Sequence, residues 1–219
     1  MLEMDSVWSR SEVVGNEISE TLYNTIIGAV LLWGFGLNYV MLSIIPVEVV
    51  SSIPFWALMI GYMVCVFFGT YLFTSSDNPM VSFVGYNFVV VPIGIILIPI
   101  IGLSDPAVVQ RALSATAGIT LMFMSLGAAY PKFFLSIGRT LFFSLIAIVL
   151  VSLGMAMMGI ESTIFDWLCV GIFSMYIGYD WARAQKIPKT VDNAVDSAAA
   201  IYLDIINLFL RLLRIFARR

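Results

Sequence analysis

Seven stretches of almost continuous apolar residues divide the chain, at 22–45, 54–74, 80–102, 113–130, 140–158, 162–179 and 196–216. Each is close to the roughly 20 residues that a helix needs to cross the hydrocarbon core of a bilayer. The segments between them are short and carry turn chemistry. TSSDNP at 74–79 reads as a turn between the second and third spans, and SDP at 104–106 places a helix N-cap, with proline at the first helical position, before the fourth. Gly28, Gly34, Gly36, Gly61, Gly69, Gly94, Gly118, Gly127, Gly154, Gly171 and Gly178 lie within the spans, which suits close approach of membrane helices. The expected fold is an all-α polytopic membrane protein, a seven-helix transmembrane bundle forming one domain over residues 1–219, with no internal repeat. Residues 1–21 are a polar N-terminal segment with one arginine and five acids and no small-residue cleavage site, so an interfacial or loose helix is expected there and not a secretory signal.

Composition agrees with a membrane assignment. Hydrophobic residues make up 61% of the chain and charged residues 11%, and the mean hydropathy is +1.00, far from an ordinary soluble domain. With the N-terminus inside, the inner segments hold Arg10, Lys132, Arg139, Arg183, Lys186 and Lys189, and the outer loops hold Arg111, as the positive-inside rule requires. The C-terminal Arg211, Arg214, Arg218 and Arg219 break this pattern if the last helix crosses completely. A helix that re-enters and returns fits the charge bias better. The expected location is a bacterial cytoplasmic membrane with a cytoplasmic N-terminus.

Missing residue types exclude several chemistries. The chain has no histidine, which removes a Ser/His dyad, a His-ligated zinc and a haem with a proximal histidine. Phosphate-cradling glycine loops are absent, so a nucleotide-driven pump is not expected, nor is a nucleic-acid partner. Cys65 and Cys169 lie within apolar runs and read as small buried hydrophobes. The twelve methionines and sixteen phenylalanines read as bundle packing and lipid contact. No enzymatic activity and no cofactor are expected.

Two acids stand where a membrane protein tolerates them least: Asp180, closing the run IFSMYIGYD, and Asp204, in the middle of AAAIYLDIINLFLRLLRIF. An ionisable group at mid-membrane costs about 2.5–3.5 kcal/mol on insertion scales and is ordinarily given a partner or a wet cavity. On a helical projection of the last span, Asp196, Ala200, Asp204, Asn207, Arg211 and Arg214 fall within about 80° of one another, with Ile201, Ile205, Phe209, Leu212 and Phe216 opposite. Such a stripe either faces the bundle interior or lies in the interface as an amphipathic helix. The central position of Asp204 favours the interior, with Asn207 and Arg211 as supporting residues. Asp180 has an alternative role as an interface anchor near Arg183. Asp166, four residues into its span beside Trp167, is assigned to the interface, and Arg139 and Arg111 are either snorkelling cations or partners for a carboxylate.

The segments FSMYIGYDWARAQ (173–185) and AAIYLDIINLFLRLLRIF (199–216) resemble the closing signature of the Bax inhibitor family, also called the transmembrane Bax inhibitor motif family, whose bacterial members include small seven-helix calcium-leak proteins. The signature is a Tyr-Asp ending helix six and a Tyr-Leu-Asp-x-x-Asn-Leu-Phe in helix seven. The 24-residue interval from Asp180 to Asp204 matches it, and a weaker likeness runs through KFFLSIGRTLFFSLIAIVLVSLG (132–154). The resemblance implies that Asp180 and Asp204 form a hydrogen-bonded pH-sensing pair and that the last helix runs through the centre of the other six. It also implies an arginine latch near the end of helix two. Residues 52–82 depart from this, with Asp77 as their one charge, leaving Lys132, Arg139 or Arg211 as substitutes.

Independently of any family, two carboxylates forced together in a low-dielectric bundle cannot both ionise cheaply and tend to share one proton. Losing that proton favours helix separation or capture of a hard oxygen-seeking cation such as Ca²⁺. Two carboxylates make only a weak calcium site, which suits conduction. The expected function is therefore a pH-sensitive passive calcium-permeable leak channel, with calcium as the permeant ion and the lipid bilayer as its surroundings. The alternatives are a non-conducting membrane regulator acting through protein partners and an intramembrane aspartyl protease. The protease reading is disfavoured because IGYD supplies its Tyr-Asp but the chain contains no Gly-x-Gly-Asp.

Overall fold

The computed structural model describes residues 17–218, which are helical throughout apart from short connections, with no strand among them. The polar segment 1–21 thus falls largely outside the described residues. Nine helices follow in order: α1 (Glu20–Ile44), α2 (Val47–Ser51), α3 (Phe55–Ser75), α4 (Pro79–Gly102), α5 (Pro106–Ala129), α6 (Pro131–Ser136), α7 (Gly138–Met158), α8 (Thr163–Ala184) and α9 (Val191–Ala217). Local chemistry sets many of their ends. Ser19, Asn78, Asp105 and Ser162 cap α1, α4, α5 and α8 by accepting from backbone N–H groups of the first turn. Pro79, Pro106 and Pro131 open their helices where no N–H is needed. Gly159 ends α7 in the left-handed region at φ 64°.

Four helices, α1, α4, α5 and α7, are long and apolar enough to cross a membrane, and α3 holds a shorter apolar run over Trp56–Leu72. The surface is inverted relative to a soluble bundle. Leu32, Trp56, Met157 and Ile164 are more than 70% exposed, whereas Asp166, Asp192, Asp196 and Asp204 are buried. Apolar surface outside and acids inside is the arrangement expected when the solvent is lipid. α7 shows it most plainly, burying Leu141 and Ile148 while Phe143, Val149, Leu150 and Leu153 stay exposed.

The described residues form two compact units. The first comprises 17–103 with Ile187–Ala199. In it α4 packs against α1 and α3 around Tyr23, Ile27, Tyr86, Val89, Val90 and Leu97. Gly69 brings α3 onto the backbone of α4 at Gly85, a spot where a Cβ has no room. The second unit comprises Ser104–Lys186 with 200–218. There α5 and α6 pack on α8, and α7 lies beside it. α9 contributes its first nine residues to one unit and the remainder to the other.

Three expectations need revision. The short helices α2 and α6 were not anticipated. α8 continues to Ala184 and α9 begins at Val191, so the ionisable residues flanking spans six and seven belong to the helices themselves. The helix reversal favoured by the C-terminal arginines is not formed, since Val191–Ala217 is one unbroken helix of 27 residues.

Candidate functional site

Asp180 lies one turn from the end of α8, and Asp204 lies midway along α9. Asp204 is 7% exposed, Asp180 is half-buried, and the two carboxyl groups lie close enough to interact. One oxygen of Asp204, Oδ2, is buried with no hydrogen-bond partner among the described residues. Tyr176, one turn before Asp180 on the same face of α8, lies close enough to feel both acids. Sequence reasoning passed over this tyrosine, although its spacing of four from Asp180 was the available signal.

Small residues hold α8 in place here. Any side chain on Gly127 of α5 would strike the carbonyl of Gly178, and one on Gly178 would strike the ring of Phe134 from α6. Gly138, opening α7, leaves room for the ring of Tyr179. Three neighbouring helices thus meet α8 through positions adjoining Asp180. The acid is presented from a packed scaffold.

The expected supporting residues do not gather around this pair. Asn207 is half-buried and donates its side-chain amide to Leu203 O of its own helix at 2.8 Å. Arg139 is exposed on the first turn of α7. Arg211 instead donates to Asp166 at 3.0 Å and to Ser152 at 3.0 Å, and its guanidinium lies over the Phe165 ring. The polar-stripe picture of the last helix also changes. Ile201, Phe209 and Leu212, placed opposite the stripe, are buried as deeply as Asp204.

Asp166 departs furthest from expectation. Assigned to the interface, it is 1% exposed and accepts from Arg211 at 3.0 Å and from Arg218 at 2.8 Å, with Arg214 at 3.5 Å. Its Trp167 neighbour gave no hint of arginines arriving from 45 and 52 residues further along. A further polar group lies in the first unit. Ser82 donates to Asp192 at 2.6 Å, and the Tyr23 hydroxyl lies 3.1 Å from Ser197 Oγ and donates to Asn193 O. Lys189, read from sequence as a loop charge, sits over the Tyr23 ring at 4.6 Å. Among the described residues no three His, Cys, Asp or Glu side chains converge as a metal-ion cage.

A family model described as inhibitor of apoptosis-promoting Bax1 matches residues 16–219. Two Helicobacter pylori proteins, from strains J99 and 26695 and each named only as an uncharacterized protein, are 29% and 28% identical to the chain. Each match runs over 220 residues and covers 96% of this chain and 90% of the relative. The match over nearly the whole chain, together with its apolar helices, shows that it belongs to the Bax inhibitor family and is an integral membrane protein.

Proposed function

We propose that the protein is a passive calcium-permeable leak channel gated by the protonation of Asp180 and Asp204. The observation that carries this reading is the close approach of two carboxyl groups, one buried and one half-buried, on apolar helices. A pair bridged by one proton ties α8 to α9. Removing that proton sets two anions against each other and leaves oxygens facing one another that a hard cation seeks. Flux should therefore rise as the pH rises through the titration of the pair. Two carboxylates bind calcium weakly, as conduction demands, since the ion must leave as readily as it enters.

In this reading the seven helices of 21 residues or more each cross the bilayer, α9 runs through the middle of the other six, and Asp180 and Asp204 line the ion path. The membrane is a bacterial cytoplasmic one with the N-terminus inside. No catalytic step and no cofactor are involved. The test is reconstitution into liposomes loaded with a calcium dye, with external pH stepped between about 6 and 8. Wild type should leak calcium more at the higher pH. Asp204→Asn and Asp180→Asn should each flatten the pH response, because one carboxylate alone lacks the repelling partner. Absence of flux at every pH would overturn the channel in favour of a regulator acting through other proteins, and an unaltered pH response in both variants would overturn the sensor.

A further inference from the structure

The arginines of the last helix frame a second site in the unit formed by Ser104–Lys186 and 200–218. Where α7 ends, α8 begins and α9 ends, a cavity of about 470 Å³ is bordered by Arg211, Arg214 and Arg218 together with Asp166 and Glu161. Asp166 acts as a buried hub, one carboxylate holding three guanidinium groups together. It neutralises one of three positive charges. Glu161 pairs with Arg218 at 3.2 Å but is 77% exposed, so it offsets a second charge only from the solvent-facing rim.

The donors are not exhausted by these contacts. A guanidinium carries five N–H groups in a planar fork that matches the oxygens of a phosphate. Arg214 commits one nitrogen to a 3.5 Å contact and remains 54% exposed. Ser152 and Ser162 line the same cavity, their hydroxyl oxygens accepting from Arg211 and from Phe165 N. The N-terminal turn of the 22-residue helix α8 adds its positive end. Met157, Met158, Ile160 and Ile164 lie alongside with 47–84% of their surface exposed, an apolar flank beside a cationic pocket. A phosphate group with an attached acyl chain matches both surfaces, and basic pockets among membrane helices recognise lipid headgroups in this way.

We propose that this cavity binds a phosphate-class anion, either the phosphodiester headgroup of an acidic phospholipid or free inorganic phosphate. The full chain in a neutral detergent tests it through thermal unfolding during titration with short-chain phosphatidylglycerol, short-chain phosphatidylcholine, inorganic phosphate, or chloride at matched ionic strength. Phosphatidylglycerol should raise the midpoint in a saturable way while phosphatidylcholine and chloride do not. Arg214→Gln should demand roughly tenfold more phosphatidylglycerol, the loss of one charge-assisted contact. Saturable stabilisation by inorganic phosphate with the same Arg214 dependence, and none from the lipid, assigns the site to the free anion. Equal responses to phosphatidylglycerol and phosphatidylcholine with none to phosphate, or an Arg214→Gln protein that responds as wild type does, would overturn the proposal. Arg214→Lys, which keeps the charge and loses the fork, provides the same comparison should Arg214→Gln fail to fold, with a several-fold weakening expected.

Discussion

Asp166 and Asp204 are both aspartates buried among apolar helices, and they are satisfied in opposite ways. Asp166 is an anion held by guanidiniums, whereas Asp204 meets another acid. The first arrangement is an ion pair, and the second sets two acids side by side. Removing Asp166 leaves Arg211, with 15% of its side chain exposed, without an ion-pair partner among the described residues. Breaking one side of a buried ion pair costs about 3–5 kcal/mol, so Asp166→Ala should lower the unfolding midpoint in detergent sharply. Adding Arg211→Met to Asp166→Ala should recover part of the loss by removing the stranded charge. A midpoint for Asp166→Ala equal to that of wild type would show the arginines to be solvated already. Sequence made Asp180 and Asp204 visible because an acid inside an apolar run is itself anomalous. Asp166 stayed hidden because depth along its own helix says nothing about which long side chains arrive from another.

Helix ends were legible wherever their chemistry is local. Ser104-Asp105-Pro106 reads as a cap with a proline that opens the helix, and α5 starts there; 74–79 reads as a turn, and α4 starts at its last residue, Pro79. α2 and α6, with five and six residues, are too short to carry a hydrophobic period and were not legible. The ends of α8 and α9 were misplaced for a different reason. Charged residues beyond Tyr179 and before Asp196 were read as the membrane edge, whereas in the fold they continue as helix. Glycines in the spans were recognised as packing residues, but the sequence does not distinguish those that touch a neighbour. Gly127 and Gly118 lie on the same helix and differ in this respect. An added methyl at Gly127 lands on the Gly178 backbone, which cannot yield without parting α5 from α8; at Gly118 it meets nothing within 4 Å. Gly127→Ala should therefore cost about 1–3 kcal/mol as overpacking. Gly118→Ala should be neutral or stabilise by up to about 1 kcal/mol through helix propensity. Thermal unfolding of the two variants side by side checks this, and equal midpoints would mean that the α5–α8 contact contributes little.

At the level of the whole molecule, charge and geometry make competing demands on the last helix. Counting basic residues favours a C-terminus on the same side as Lys186, which requires α9 to turn back. α9 does not turn: 27 residues at 1.5 Å each span about 40 Å, more than the roughly 30 Å hydrocarbon core. Its contacts with α8 give the direction. Asp204 meets Asp180 near the end of α8, and Arg211 and Arg218 meet Asp166 near its beginning, so the two helices run antiparallel. If α8 crosses the membrane, the end of α9 then lies on the side where α8 starts. The charge bias is relieved because Arg211 and Arg218 are held by a buried carboxylate and are not free loop cations. Single cysteines at Lys186 and Ala217, introduced after replacing Cys65 and Cys169 with alanine, report this directly, since Lys186 and Ala217 are both exposed. With a membrane-impermeant maleimide on sealed vesicles of one orientation, only one of the two sites should label, and the other should react only after the membrane is permeabilised. Labelling of both from the same side would contradict a full crossing by α9. It would also remove the antiparallel α8–α9 register on which the proposed gate depends.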